Sequence, residues 1–313
     1  MTYQQVMTKW GVCAAVIFGI GLLAQPNVRA EEPIGTQAST EVTKTTTQKK
    51  TTAKRPRLDV VFTVDATSSM SDEIEVIKKE IWTIANRLMA GKPSPDIRFG
   101  LVFYKDNGDD FVVRSTPLTR DIDKIHSLLM SAPVSGGGDM PEHVGRGLHA
   151  AMDMEWDSDP SVSRLVYLVG DAPSQSYDDE FKVADAVKKA QEKQIVIHAI
   201  GCSGIGGGQE EFTRIAGATD GSYQSLTYHA VVEREDGKKV SVVYHDGETY
   251  EADGVLSDEE WKKGADSLKK KKKLKRAEGK TRSRAAAAPK ANNMDDIAFE
   301  GVAKEASEKG VAY

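Results

Sequence analysis

The sequence predicts an α/β fold in which a doubly wound, mostly parallel sheet is flanked by helices and carries one antiparallel edge strand. Nearly continuous runs of β-branched and aromatic residues, typical of strands covered on both faces, occur at residues 60–64, 165–169 and 195–200. Helical patterns separate these runs, as expected when crossover helices join parallel strands. Two further strands, residues 98–105 and 110–116, flank an Asp-Asn-Gly-Asp turn, which indicates an antiparallel pair at the sheet edge.

The helix after the first strand has the clearest pattern, because its apolar residues recur at alternating spacings of three and four and form one face. These residues are Ile74, Ile77, Ile81, Ile84 and Leu88, and the helix is expected to end near Gly91. Further helices are expected at residues 122–131, 141–153, 181–193 and 209–217. Doubly wound sheets bind ligands at the carboxyl ends of their strands, so functional residues are expected in the loops that follow the strands.

The 313 residues, of which 39% are hydrophobic and 28% charged, have the composition of a soluble globular protein.

Residues 10–24 form an apolar run followed by small residues, which indicates a signal peptide cleaved after Ala30. An uncleaved anchor is less consistent with this run, because spanning a bilayer takes about 20 apolar residues. We therefore expect a secreted or periplasmic protein with no transmembrane span after cleavage. The predicted segments are a signal peptide at 1–30, a disordered Thr- and Lys-rich linker at 31–57, a folded domain at 58–228, and a C-terminal extension at 229–313 with a hairpin, a Lys-rich helix and partly disordered chain.

Charge is unevenly distributed along the chain. Residues 58–228 hold 27 Asp and Glu against 16 Lys and Arg, whereas residues 262–284 hold 12 Lys and Arg against two acidic residues. The run of five lysines that begins at Lys269 and ends at Lys273 could bind an anionic polymer, although a solvated helix extension is the simpler interpretation. No aromatic residues alternate with these lysines, so no specific nucleic-acid recognition is expected. Two cysteines are too few for a disulfide scaffold.

Oxygen-bearing side chains occur in three of the loops. The first strand runs directly into Asp65, and the hydroxyls of Thr67 and Ser69 follow at alternate positions. Asp139 lies in a glycine-rich loop before a helix, and Asp171 follows a later strand. Divalent cations such as Mg²⁺ prefer oxygen ligands. Two carboxylates about 4 Å apart near a protein surface repel each other by roughly 4 kcal/mol, and a cation between them reverses this repulsion. The three loops therefore predict a divalent metal site.

Each loop also has a purely structural interpretation. Ser69 could cap the following helix. Asp139 and Glu142 could form a capping box, and Asp171 could stabilise a turn before Pro173. These interpretations are local, and they do not explain why two of the three aspartates directly follow buried strands. The combination of loops therefore favours the metal site.

The three loops, in this order and spacing, resemble those of a von Willebrand factor type A (VWA) domain with a metal-ion-dependent adhesion site (MIDAS), of a bacterial secreted type. The resemblance covers residues 58–228 and includes Tyr-Lys-Asp at 104–106 and His-Ala-Ile-Gly-Cys at 198–202. It implies a Rossmann-like VWA fold and a non-catalytic adhesion or assembly role, in which an acidic side chain of a protein partner binds the metal. The metal ligands that it implies are Asp65, Thr67, Ser69, Asp139 and Asp171, and the ion is expected to be Mg²⁺, with Mn²⁺ or Ca²⁺ as alternatives.

The second loop departs from the commoner pattern of this family, which has a threonine there. Asp139 is the predicted ligand from this loop and Glu142 is the alternative.

Two other functions stay open on the sequence alone. Asp65 could be the nucleophile of a phosphoryl-transfer hydrolase, although Thr67 stands where that chemistry needs a second carboxylate. The chain could also be an anion-binding scaffold that uses the lysine run.

Overall fold

The computed structural model describes residues 55–132, 134–138, 140–286 and 290–313, all of which belong to one compact unit, Thr52–Tyr313. The predicted signal peptide, the predicted linker up to residue 54 and Asp139 lie outside the described residues. Among the described helices, none combines the length and the apolar character that crossing a membrane requires.

A six-stranded sheet forms the centre of the molecule and confirms the predicted fold class. Its strands are β1 (Arg57–Asp65), β2 (Asp96–Tyr104), β3 (Val113–Thr119), β4 (Val162–Gly170), β5 (Ile195–Gly201) and β6 (Tyr223–Ser225). The strand order is β3-β2-β1-β4-β5-β6, and every pairing is parallel except that of β2 with β3. The antiparallel strand predicted for the sheet edge is therefore β3.

Helices cover both faces of this sheet. They are α1 (Ser71–Met89), α2 (Ile122–Met130), α3 (Val144–Met152), α4 (Val183–Glu192) and α5 (Gln209–Gly217). The alternation of side chains along β1 explains the two layers. Val60 and Phe62 belong to one buried cluster with residues of α1 and α2, whereas Val61 belongs to a second cluster with residues of α3, α4 and α5. Both faces of the strand are buried, as its continuous apolar sequence predicts.

The helix expected at residues 141–153 begins three residues later than predicted. His143 occupies the cap position of α3, and its Nδ1 accepts a hydrogen bond of 3.3 Å from the backbone N–H of Arg146. The ring thereby satisfies one of the free N–H groups at the helix start. The preceding residues, including Glu142, are consequently free to belong to the loop.

A second sheet of five antiparallel strands follows β6 in the chain. Its strands are β7 (Tyr228–Glu233), β8 (Lys239–His245), β9 (Glu248–Ala252), β10 (Leu274–Arg276) and β11 (Ala291–Asn292), in the order β10-β9-β8-β7-β11. Strands β7 and β8 form a hairpin whose turn contains Gly237 at φ 77°. Three short helices accompany this sheet, namely α6 (Asp258–Trp261), α7 (Ala265–Lys270) and α8 (Gly279–Ala286).

The chain then returns to the first sheet through α9 (Met294–Glu308), which packs against α1 and β4. The buried apolar residues of α9 are Met294, Ile297, Ala298, Val302 and Ala306, and they belong to the same cluster as the core of α1. After α9, Ala312 forms a pair of backbone hydrogen bonds with Lys92, of 2.8 and 2.9 Å. The second sheet is thus inserted between the last strand of the first sheet and a helix that covers that sheet.

Candidate metal site

The first loop brings three oxygen-bearing side chains together directly after β1. Asp65 is fully buried, and its Oδ1 accepts hydrogen bonds from the backbone N–H of Thr67 at 2.9 Å and from the Thr67 hydroxyl at 2.7 Å. The hydroxyl oxygens of Thr67 and Ser69 are 3.1 Å apart. The alternate spacing in the sequence therefore places these groups side by side. Ser69 does not cap α1, since Met70 occupies the cap position and no side-chain bond is formed there.

The third loop places Asp171 next to the first loop. Strands β1 and β4 are parallel neighbours with Val64 opposite Val169, so their following loops emerge at the same edge of the sheet. Asp171 is 7% exposed, and the hydroxyl of Ser69 lies close enough to lower the pKa of its carboxyl. A continuous series of neighbouring oxygen-bearing side chains thus runs from Asp65 through Thr67 and Ser69 to Asp171. This arrangement follows from the strand-exit positions that the sequence predicts.

The second loop contributes Glu142, whereas Asp139 lies outside the described residues. Glu142 is 2% exposed, and its backbone is joined to the third loop, because its N–H donates to Pro173 and its carbonyl accepts from Gln175 at 2.7 Å. Gly137 shows how closely the loops approach, since a Cβ there would lie 2.7 Å from Cβ of Thr67 and 3.4 Å from Oε1 of Glu142. The cap residue of α3 is His143, so Glu142 lies before the helix and does not close the capping box that the local pattern suggests.

Residues of the β2–β3 connection hold the second loop in place. Lys105 is fully buried, and its ammonium group donates to Asp110 at 2.7 Å and to both the carbonyl and the hydroxyl of Ser135. The carboxylate of Asp109 accepts from the backbone N–H of Gly137 at 3.1 Å. The sequence pattern predicts only a turn here and does not reveal this role, because the contacts with the second loop join residues 28 or more positions apart.

A further buried carboxylate lies beside the third loop. Glu73 on α1 is 2% exposed, and its Oε1 accepts from the hydroxyls of Ser203 at 2.8 Å and Tyr228 at 2.6 Å. Tyr228 is the first residue of β7, so this contact joins the helix that follows the first loop to the second sheet. Nothing in the spacing of Glu73 and Tyr228 along the sequence indicates this contact.

The negative charges of these carboxylates repel one another when no cation is bound. Burial raises the pKa of Asp65 to about 7, and the negative charges of Asp171 and Asp109 add to that increase. Burial, followed by the charges of the surrounding aspartates, raises the pKa of Glu142 to about 9. The pKa of Asp171 is also raised by burial, although the nearby hydroxyl of Ser69 opposes the increase. Desolvation and mutual repulsion therefore both disfavour the ionised site when no cation is present.

The residues of the site fit a hard divalent cation. Oδ2 of Asp65, Oε2 of Glu142 and Oδ1 of Asp171 are buried and have no hydrogen-bond partner among the described residues. Buried oxygens of this kind are costly unless a partner satisfies them. No cluster of three or more His, Cys, Asp or Glu side chains within the described residues can hold a metal by itself, so the hydroxyls of Thr67 and Ser69 are needed to complete an oxygen-only site.

The lysine run begins at the end of α7, one of the short helices that accompany the second sheet, and nearby acidic residues pair with part of it. Lys269 lies 3.7 Å from Asp266 and over the ring of Tyr250, and Lys273 pairs with Glu260. Binding of an anionic polymer by this run stays a prediction.

The sequence of residues 59–238, more than half of the chain, matches the von Willebrand factor A domain family. The chain belongs to that family. As a VWA protein it is also similar to the alpha-protein kinase vwkA of Dictyostelium discoideum, with 31% identity over 121 residues that amount to 37% of this chain and 18% of the kinase. This VWA chain therefore spans less than a fifth of that relative.

Solved structures of VWA proteins are similar to parts of this chain. A von Willebrand factor type A protein from Catenulispora acidiphila is 17% identical with a TM-score of 0.43, covering 55% of this chain and 38% of that one. Proximal thread matrix protein 1 from the mussel byssus, with a zinc-occupied MIDAS motif, is 20% identical with a TM-score of 0.42, covering 55% of this chain and 42% of that one. This VWA chain spans less than half of either protein.

Proposed function

We propose that this chain is a secreted or periplasmic VWA module that binds a protein partner through a divalent metal held at a MIDAS-type site, in a non-catalytic adhesion or assembly role. The observation that carries the proposal is the series of neighbouring oxygen-bearing side chains from Asp65 through Thr67 and Ser69 to Asp171, flanked by buried carboxylate oxygens that have no described partner. A divalent cation would satisfy these oxygens and offset their repulsion.

The proposed metal ligands are Asp65, Thr67, Ser69 and Asp171, each directly or through water. From the second loop, Glu142 supplies a buried carboxylate that, like Thr67, lies close to Gly137, and Asp139 remains the ligand that the sequence predicts. The oxygen-only set suits Mg²⁺, with Mn²⁺ or Ca²⁺ as alternatives. Such an ion, when bound, supplies an open position for an oxygen of the partner, and the resemblance to adhesion sites implies an acidic side chain for that position.

The secreted or periplasmic location rests on the apolar run at residues 10–24 and on the cleavage pattern that ends at Ala30. The proposed organisation is a signal peptide at 1–30, a linker at 31–57, the VWA domain at 58–228 and the extension at 229–313. The hydrolase alternative receives less support, since Oδ1 of Asp65 is already engaged by both the amide and the hydroxyl of Thr67, the residue that would have to be the second carboxylate.

Isothermal titration of the purified chain with Mg²⁺, Mn²⁺ and Ca²⁺ tests the metal site. We expect one site per chain in the native protein and a loss of binding in Asp65→Asn, which keeps the shape of the side chain and removes its charge. Asp123→Asn changes an exposed carboxylate on α2 and is the matched control, with binding unchanged. Native protein that binds none of the three ions would overturn the proposal.

Pull-down from the native cell envelope tests the partner. The immobilised chain is incubated in Mg²⁺ or in EDTA, with Asp65→Asn and Asp123→Asn in parallel. We expect a partner that the native protein and Asp123→Asn retain only in Mg²⁺ and that Asp65→Asn fails to retain. Retention of the same proteins in EDTA would show that the metal has no part in binding.

A further inference from the structure

The run of five lysines forms a turn at the end of α7, not the helix extension that its sequence suggests. Helix α7 ends at Lys270, and Lys272 follows at φ 55°, in the left-handed region where a right-handed helix cannot continue. The backbone N–H of Lys273 donates to the carbonyl of Leu268 at 3.0 Å and closes the turn. Strand β10 begins at the next residue and pairs with β9. The turn is therefore fixed to the second sheet on both sides.

Three ammonium groups of this turn have no acidic partner among the described residues. Lys269 lies 3.7 Å from Asp266, and Lys273 pairs with Glu260. The three lysines between them, at residues 270–272, are exposed and form no ion pair with a described residue. Three uncompensated positive charges thus occupy consecutive positions at the surface.

Basic side chains of β10 and α8 lie beside the turn. Arg276 is opposite Tyr250 in the register of β10 with β9, and Nζ of Lys269 lies 4.5 Å from the centroid of the Tyr250 ring. The hydrogen bond from Arg276 lowers the pKa of Glu248, and the positive charges of Arg282 and Lys269 lower it further. Helix α7, β10 and α8 therefore each place a basic group near one carboxylate. The basic surface consists of Lys269–Lys273, Arg276 and Arg282.

The neighbours of the lysines narrow the class of partner. Leu268 and Leu274 pack in one cluster with Trp261, so neither apolar side chain is available to enter a bilayer. The ring of Tyr250 lies under the ammonium group of Lys269, which a stacking base would have to displace. A partner of the basic surface is consequently held by charge.

We propose that the basic surface binds a flexible polymer of phosphate groups and contacts the phosphates without recognising any group attached to them. Consecutive ammonium groups at a turn can each meet a phosphate of such a chain, and the release of its counterions drives binding. Residues 58–228, with 27 Asp and Glu against 16 Lys and Arg, repel the polymer and confine it to the basic surface. This binding is separate from the proposed metal site.

Fluorescence anisotropy with labelled long-chain inorganic polyphosphate tests the proposal on the full chain. The buffer contains EDTA, so that no metal ion links the polymer to the acidic loops. We expect the native chain to bind at about 50 mM salt, and the triple change Lys270→Gln, Lys271→Gln and Lys272→Gln to weaken binding at least about tenfold. Absence of native binding, or equal affinity in the variant, would overturn the proposal.

The salt dependence separates lost contacts from a general loss of charge. Each lysine contact with a flexible phosphate chain contributes about 0.7 to the slope of log affinity against log salt concentration, so the slope of the glutamine variant should be about 2 smaller in magnitude. A control variant loses three exposed lysines on other elements and should keep the native slope. These changes are Lys124→Gln, Lys188→Gln and Lys309→Gln. A control that lowers the slope as much as the glutamine variant would refute a localised surface.

Arginines at residues 270–272 keep the charge and should keep the affinity within about threefold, which separates charge from any effect of the glutamines on folding of the turn. Loss of binding in this arginine variant would contradict contact by charge. Two further probes, single-stranded DNA with the same number of phosphates and vesicles of anionic phospholipid, identify the class of partner. We expect DNA to bind no more tightly than polyphosphate. Tighter binding of DNA or of vesicles than of polyphosphate would overturn the assignment to phosphate groups alone.

Discussion

Glu142 and Asp65 link the stability of the metal-free protein to pH. Burial raises their pKa values to about 9 and about 7 in the folded chain, from ordinary values of 4.5 and 3.8. In the unfolded chain both groups lose their protons near their ordinary values, so at higher pH the folded protein binds more protons than the unfolded one. Their stabilising contribution is therefore complete below about pH 4 and is lost as the pH rises through about 7 and then 9.

We expect the free energy of unfolding in EDTA, measured by urea denaturation, to decrease between about pH 5 and 9. In Glu142→Gln the free energy of unfolding should fall less steeply above about pH 7, where Asp65 is already ionised. In Asp65→Asn it should fall less steeply below about pH 7. A saturating divalent cation should weaken the dependence, because it stabilises the ionised carboxylates. A pH profile that is identical in native protein and Glu142→Gln would contradict the assignment.

Lys105 supports the site through the second loop. In Lys105→Met, a side chain of similar length loses the bonds to Asp110 and to Ser135, which leaves the carbonyl of Ser135 without this donor. We expect a loss of about 2 kcal/mol in the free energy of unfolding. Urea denaturation measures this loss, and Lys124→Met, which changes an exposed lysine on α2, is the control with a change within about 0.5 kcal/mol. Equal stabilities of the two variants would show that the buried ammonium group does not hold the loop.

At the scale of whole elements, the central sheet was predictable because its strands have a simple physical signature. Parallel strands covered on both faces are continuously apolar, as at Val60, Val61 and Phe62, and the sequence shows where they end. The aspartates that directly follow these strands were predictable for the same reason. The part played by Glu142 was only an alternative, because the start of α3 depends on the cap formed by His143, which a local capping-box pattern does not reveal.

Contacts between distant elements were not predictable. The bond between Tyr228 and Glu73 joins residues 155 positions apart, and neither residue belongs to a periodic pattern that requires it. The packing of α9 against the first sheet was not predictable either, because the pattern of an amphipathic helix does not specify which apolar surface the helix covers. Pattern and spacing determine elements, whereas the pairing of elements depends on the complete fold.

The bond between α1 and the second sheet gives a prediction at this scale. The Tyr228 hydroxyl donates to Glu73 at 2.6 Å and accepts from the backbone N–H of Ser203 at 3.1 Å. Tyr228→Phe removes both bonds from a buried carboxylate and a backbone amide, and we expect a loss of about 2 kcal/mol in unfolding free energy by urea denaturation. Tyr313→Phe removes a hydroxyl from a residue that is 48% exposed and should cost less than about 0.5 kcal/mol. A Tyr228→Phe protein as stable as the native one would mean that this bond does not stabilise the contact.

At the scale of the whole molecule, α9 is required to cover apolar surface of α1 and β4 in the first sheet's layer. A chain truncated after residue 228, the predicted end of the VWA domain, lacks α9 and exposes the apolar surfaces of α1 and β4 on which Met294, Ile297 and Val302 pack. We expect residues 55–228 to be aggregated or to show non-cooperative thermal unfolding, whereas residues 55–313 unfold cooperatively. Circular dichroism and size-exclusion chromatography of both proteins measure the difference. Cooperative unfolding of a monomeric 55–228 protein would refute the requirement for α9.

Strand β1 has a mechanical consequence. Arg55, just before β1, donates to the carbonyls of Ser94 and Pro95 at one end of the sheet, and Asp65 ends the strand at the other. A force between the residues that precede Arg55 and a partner held at the metal would act along β1, which is paired along its length with β2 and β4. Because Asp171 after β4 is proposed to share the metal with Asp65, part of such a force passes from β1 to β4 and loads the hydrogen bonds between these two strands in shear, all at once, instead of opening them one by one. We therefore expect the chain, when it is held by the residues that precede Arg55, to resist tension best in the direction in which a partner at the metal would pull it.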